Sequence, residues 1–88
     1  MKLNADAQSF VARFVSEFCA VPYVSSVEIS AQSEDIFVIR VTKCYPDDQP
    51  LWYAQVYDAK SIQKIGGPDY AKYEIESFKK AFARGEIR

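Results

Sequence analysis

The sequence predicts a small α+β domain: a helix, three or four antiparallel strands and a closing helix, both helices lying on one face of the sheet. Three observations predict it. Apolar residues recur at helical spacing over 7–18 and again over 71–82. Between them, Ile36-Phe37-Val38-Ile39-Arg40-Val41-Thr42-Lys43 is β-branched or aromatic at nearly every position, and Trp52-Tyr53-Ala54-Gln55-Val56-Tyr57 repeats that chemistry. The turn formers Tyr45-Pro46-Asp47-Asp48-Gln49-Pro50 separate the two runs, which therefore read as a β-hairpin with a long loop. With 88 residues the chain is one domain. It buries only about 60–65 % of its unfolded surface, in one small core.

The first helix opens at Asn4, a residue type suited to capping, with Asp6 in the first turn where a negative charge favours the helix dipole. Ala7, Phe10, Val11, Phe14, Val15 and Phe18 share one face, and Phe10, Phe14 and Phe18 form a row along it that reads as core. Arg13 and Glu17 stand one turn apart, placed to pair. Pro22 ends the helix, since the residue before a proline avoids the α region. Val27, Ile29 and Ala31 then alternate with Ser26, Glu28 and Ser30, the period of a half-buried strand. Gln32-Ser33-Glu34-Asp35 is the turn into the hairpin.

Across the hairpin the inner face is expected to carry Phe37, Ile39 and Val41 from one strand with Trp52, Ala54 and Val56 from the other. The outer face would then carry Ile36, Val38, Arg40 and Thr42 with Tyr53, Gln55 and Tyr57. After Asp58, residues 62–65 read either as a short fourth strand or as a helical turn capped by Asp58, the strand being preferred. Gly66-Gly67-Pro68-Asp69 is a breaker, and Pro68 suits the first turn of a helix. In that closing helix Ala71, Ile75, Phe78 and Phe82 form the apolar stripe, Glu76 can pair with Lys80, and Gly85 is placed to end it.

Composition narrows the function. Nearly half the residues are hydrophobic (49 %) and about a quarter charged (26 %), the balance of a globular protein. No apolar run approaches the ~18 residues of a membrane span. The opening Met1-Lys2-Leu3-Asn4-Ala5-Asp6 does not resemble a secretory signal, so a cytoplasmic protein without membrane contact is expected. Histidine is absent, which removes the usual general base and the commonest metal ligand. Cys19 and Cys44 cannot by themselves furnish a four-ligand zinc site, and they read as two thiols. Asp47-Asp48 lacks the spacing of a calcium loop, and Gly66-Gly67 lacks the lysine of a phosphate loop. No enzyme, cofactor or metal is expected.

Charge is unevenly spread. Residues 1–59 hold four bases against eight acids, and residues 60–88 hold seven bases against four acids. Lys60, Lys64, Lys72, Lys79 and Lys80 of the basic third are candidate contacts to phosphate or to an acidic partner, and they support an alternative reading as a nucleic-acid-binding module. The order α-β-β-β-α resembles the double-stranded-RNA-binding domain. That resemblance implies lysines at the start of the last helix, and here Gly66-Gly67-Pro68-Asp69-Tyr70-Ala71-Lys72 supplies one, beside an acid. Residues 52–65, with Tyr57-Asp58-Ala59-Lys60, are similar to the end of a PepSY-type domain, which usually has a glycine where this chain has Ser61-Ile62. The leading expectation is a non-enzymatic protein-interaction module, binding a second copy or another protein. Val38, Arg40, Tyr53, Gln55 and Tyr57 are its expected contacts, because tyrosine buries area while keeping a polar tip. Tyr45, Tyr70 and Tyr73 are lesser candidates.

Overall fold

The computed structural model describes residues 2–44 and 51–83. Helix α1 (Ala5–Phe18) is followed by strands β1 (Val24–Ala31), β2 (Ile36–Lys43) and β3 (Leu51–Asp58), then helices α2 (Ala59–Ile65) and α3 (Pro68–Ala83). The sheet is antiparallel in the order β1-β2-β3. The expected α+β fold is present. The fourth strand is not: residues 62–65 belong to α2. The reason is local, because the Asp58 carboxylate accepts from the Lys60 and Ser61 N–H groups and so nucleates a helix as soon as β3 ends. Ile62 is buried inward and Ile65 is exposed. Tyr45, Asp47, Asp48 and the expected helix end at Gly85 lie outside the described residues.

Each described helix start has its chemical cause. Asn4 Oδ1 accepts from the Ala7 N–H at 2.9 Å and caps α1. Gly67, at φ +60°, takes the left-handed turn between α2 and α3 that a side chain would resist. Pro68 then opens α3, where no N–H is required. The turn between β1 and β2 ties three segments together. Ser33 Oγ accepts from the Ile36 N–H, the Glu34 carbonyl accepts from the Asn4 N–H, and the Asp35 carbonyl accepts from the Ala59 N–H. The starts of α1 and α2 are thereby pinned to one hairpin end.

Both long helices cover the same side of the sheet. Phe10 of α1 meets Phe37 and Tyr57, and Phe78 of α3 meets Tyr53 edge-on at 4.9 Å between centroids. Phe14 stacks on Phe18 and takes the edge of Phe78, which joins the helices over the strands. Phe10, Phe14, Phe18, Ile75, Phe78 and Phe82 are all buried, as their helical spacing predicts. Val15 departs from that stripe and is exposed.

The hairpin register corrects the expected faces. Phe37 pairs with Tyr57, Ile39 with Gln55 and Val41 with Tyr53, so Tyr53, Gln55 and Tyr57 share the helix-facing side. Tyr57 is 4 % exposed. Trp52, Ala54 and Val56 face outward, with Val56 59 % exposed. The cause is the set of rings that the helices bring against this side of the sheet. The Tyr57 ring makes tilted contacts with Phe10, Phe14 and Phe37, each worth about 0.5–1.5 kcal/mol beyond simple burial. Trp52 instead gains the Arg40 guanidinium, 5.6 Å from its ring centre.

This register makes opposite demands on neighbouring residues. In urea unfolding, Tyr57→Ser is expected to cost about 3–5 kcal/mol, as for other aromatic truncations in a core. Val56→Ser is expected to change stability by no more than about 1 kcal/mol. The reverse ranking would show that β3 presents its other face.

Candidate functional site

The outer face of the sheet is the candidate site. Ser26, Glu28 and Ser30 of β1, Val38, Arg40 and Thr42 of β2, and Trp52, Ala54 and Val56 of β3 lie on it by register. Strand alternation puts them there, since the odd positions of β2 and β3 lie on the helix side of the sheet. Among the described residues no helix lies over this face. Glu28 stands directly opposite Arg40, which donates to its carboxylate at 2.8 Å. Arg40 therefore has the Glu28 carboxylate on its β1 side and the Trp52 ring on its β3 side. Glu28, Ser30, Val38, Arg40 and Ala54 line a shallow depression of about 370 Å³. Trp52 is 38 % exposed beside it.

Of the expected contacts, Val38 and Arg40 are where the sequence placed them. Tyr53, Gln55 and Tyr57 are not, and the tyrosines serve the core. Burial first, then the charges of Glu74 and Tyr53, pushes the Tyr57 hydroxyl well above the ordinary phenol range. Gln55 is exposed but on the helix side, near Ile65 and Tyr70. The residues that sequence reasoning missed are Trp52 and Val56, and Glu28 as the partner of Arg40. A signal was present: the core offered many rings from the helices, which suit a tyrosine pair, and Arg40 in the middle of the outer face suits an indole.

The basic residues do not converge. Lys60 faces Asp35 at 3.5 Å from α2, and Lys64 lies in the last turn of that helix. Lys72 and Lys80 are exposed on α3. Lys79 is committed within the fold: its Nζ lies 3.1 Å from Glu17 of α1 and 3.7 Å from Glu76, which thus pairs with Lys79 rather than with Lys80. Lys43 is a different kind of residue. It sits 7 % exposed on the helix side, donates to the Phe82 carbonyl at 3.2 Å and lies 4.5 Å from the Phe82 ring. A cation at a helix C-terminal carbonyl is favoured by the dipole. A groove of about 530 Å³ opens beside it, between Phe18, Val21, Tyr23 and Phe82. Tyr23 occupies the left-handed region at φ 66°.

Cys19 and Cys44 are separate, exposed thiols. No helix among the described residues is long and apolar enough to cross a membrane. The described residues hold no cluster of three or more histidine, cysteine, aspartate or glutamate side chains placed to hold a metal. The chain matches no family model, no curated protein and no solved structure.

The Glu17 cluster sets an acid dependence. Burial works to raise this carboxyl, but hydrogen bonds and charge from Lys79 and Arg13 outweigh it and hold it below its ordinary value of 4.5. A carboxyl lowered on folding stabilises the fold above its unfolded value, and that contribution is lost as pH falls through the folded value. The melting temperature of the wild type should therefore drop between pH 7 and pH ~3 by more than that of Glu17→Gln. Equal drops would show that the α1–α3 bridge adds nothing.

Proposed function

We propose that the chain is a non-enzymatic protein-interaction module that docks another protein on the outer face of its sheet. The observation that carries this reading is the one-sided placement of the helices. It leaves Trp52 and Val56 exposed beside Val38, with a polar rim of Ser26, Glu28, Ser30 and Thr42. Exposed apolar side chains grouped inside such a rim mark contact surfaces. Arginine and tryptophan are the residue types most enriched among residues that dominate binding energy. Arg40, held between Glu28 and Trp52, is already oriented, so little side-chain entropy is lost on docking.

The size of the face suggests how tight the contact is. Three strands of eight residues, at about 3.3 Å per residue and about 4.8 Å between strands, span roughly 26 by 14 Å. Such a patch falls at the low end of specific interfaces, where complexes are transient. A phosphate-binding role has less support, because Lys60 and Lys79 are paired with acids of the same chain.

The test uses residues of the central strand. Immobilised wild-type protein is expected to capture a discrete protein from source-cell lysate, identified by mass spectrometry. Val38→Ser with Arg40→Ser should retain at least about tenfold less of it, with circular dichroism unchanged. Equal recovery by the folded variant overturns the reading.

A further inference from the structure

Among the described residues, in the order β1-β2-β3, the strands β1 and β3 each keep one unpaired side. Natural edges are protected by charge, proline, a bulge or a covering element. The edge at β1 has such devices: its register breaks between Val24 and Ser26, and it carries Glu28. Residues 51–57 of β3 have no charge, no proline and no glycine, and their register against β2 runs unbroken.

The direction of the backbone groups on β3 follows from its end. The Ala59 N–H bonds the Asp35 carbonyl, and on the other side of β2 the Gln32 N–H bonds the Ile36 carbonyl. In an antiparallel ladder bonded pairs alternate. The bonded pairs between β2 and β3 are therefore Phe37 with Tyr57, Ile39 with Gln55 and Val41 with Tyr53. The N–H and C=O groups of Trp52, Ala54 and Val56 point away from β2, toward the unpaired edge. Among the described residues no turn, loop or side-chain group bonds them.

We infer that two copies of this chain pair antiparallel through β3, about a two-fold axis at Ala54, to form one six-stranded sheet. With Ala54 on the axis, all of residues 51–57 find partners, and the outward-pointing groups of 52, 54 and 56 meet outward-pointing groups. A centre one residue later would set Trp52 against the charged Asp58 instead of Val56. The register at Ala54 also sets Trp52 against Val56 of the second copy twice over, and both are exposed in the single chain. Aromatic against β-branched is a favourable cross-strand pair. The smallest outer side chain of the strand falls on the axis, where two identical residues must meet. A second copy thus satisfies at once the backbone parity, the apolar pairs and the absence of like charges.

This contact shares Trp52 and Val56 with the docking reading, but the docking test alters Val38 and Arg40 of the central strand, whereas this one alters Ala54 at the edge. It would place two outer faces side by side in one sheet.

The experiment is light scattering on the full chain from about 10 µM to 1 mM, the range in which small interfaces assemble. The mass is expected to rise from 10.0 kDa toward twice that value. Emission from Trp52, the one tryptophan, should shift to shorter wavelength along the same curve. Ala54→Pro removes only an outward N–H and is tolerable on an edge. Ala54→Glu faces Arg40 within its own chain but opposes its own copy across the axis. Each should weaken association at least about tenfold while leaving the fold intact, and if the proline variant fails to fold the glutamate variant decides. A wild-type mass of 10.0 kDa throughout overturns the proposal. So does a dimer that survives Ala54→Glu, and loss of that dimer in Val38→Ser with Arg40→Ser would assign the self-contact to the sheet face instead.

Discussion

Phe14 occupies the point where both long helices and the sheet converge. Its ring stacks on Phe18 at 4.6 Å, takes the edge of Phe78 at 4.9 Å and lies 6.4 Å from Tyr57. Among the described residues one core cluster carries the task. Everything that brings rings to this point is therefore constrained: the cap at Asn4 that starts α1, the spacing of Phe10, Phe14 and Phe18, and the face on which β3 presents its tyrosines. Ring contacts are directional as well as apolar, so they select one packing among several of similar burial.

The same convergence produces the asymmetry of the molecule. The described helices are drawn to the ring-lined side, and the ion pairs that reinforce them lie there too, with Lys79 linking α3 to Glu17 of α1. Lys43 and the Phe82 carbonyl close the far end. Side chains turned the other way are left to solvent or to a partner. The outer surface is thus a by-product of how the core is built, and its Arg40–Glu28 pair orders the one charged position at its centre.

Much of this was legible in the residues. Helical periodicity located the buried rows of α1 and α3, and the apolar runs located β2 and β3. Asn4, Pro68 and the two glycines marked boundaries by known backbone preferences. The facing of β3 was not legible from hydrophobicity, because a strand alternating Trp-Ala-Val with Tyr-Gln-Tyr has apolar character on both sides. Its orientation depends on ring partners contributed by α1 and α3, which are distant in sequence. The helical state of 62–65 had a visible cause in Asp58, but Ile62 and Ile65 suit a strand equally well, and only packing against α1 and α3 separates the two. At the candidate site, Val38 and Arg40 were placed correctly because β2 carries an unambiguous inner set, Phe37, Ile39 and Val41.

Asp58 has two duties within one residue. Its backbone closes the ladder opposite Ile36, and its carboxylate holds the first turn of α2. Strand and helix consequently share a junction with no slack. A single residue inserted or deleted just before it would swap inside for outside along β3 or shift the cap away from the N–H groups it serves. A change in length at this junction would therefore be costly, and the junction acts as the ruler against which the rest of the hairpin is measured.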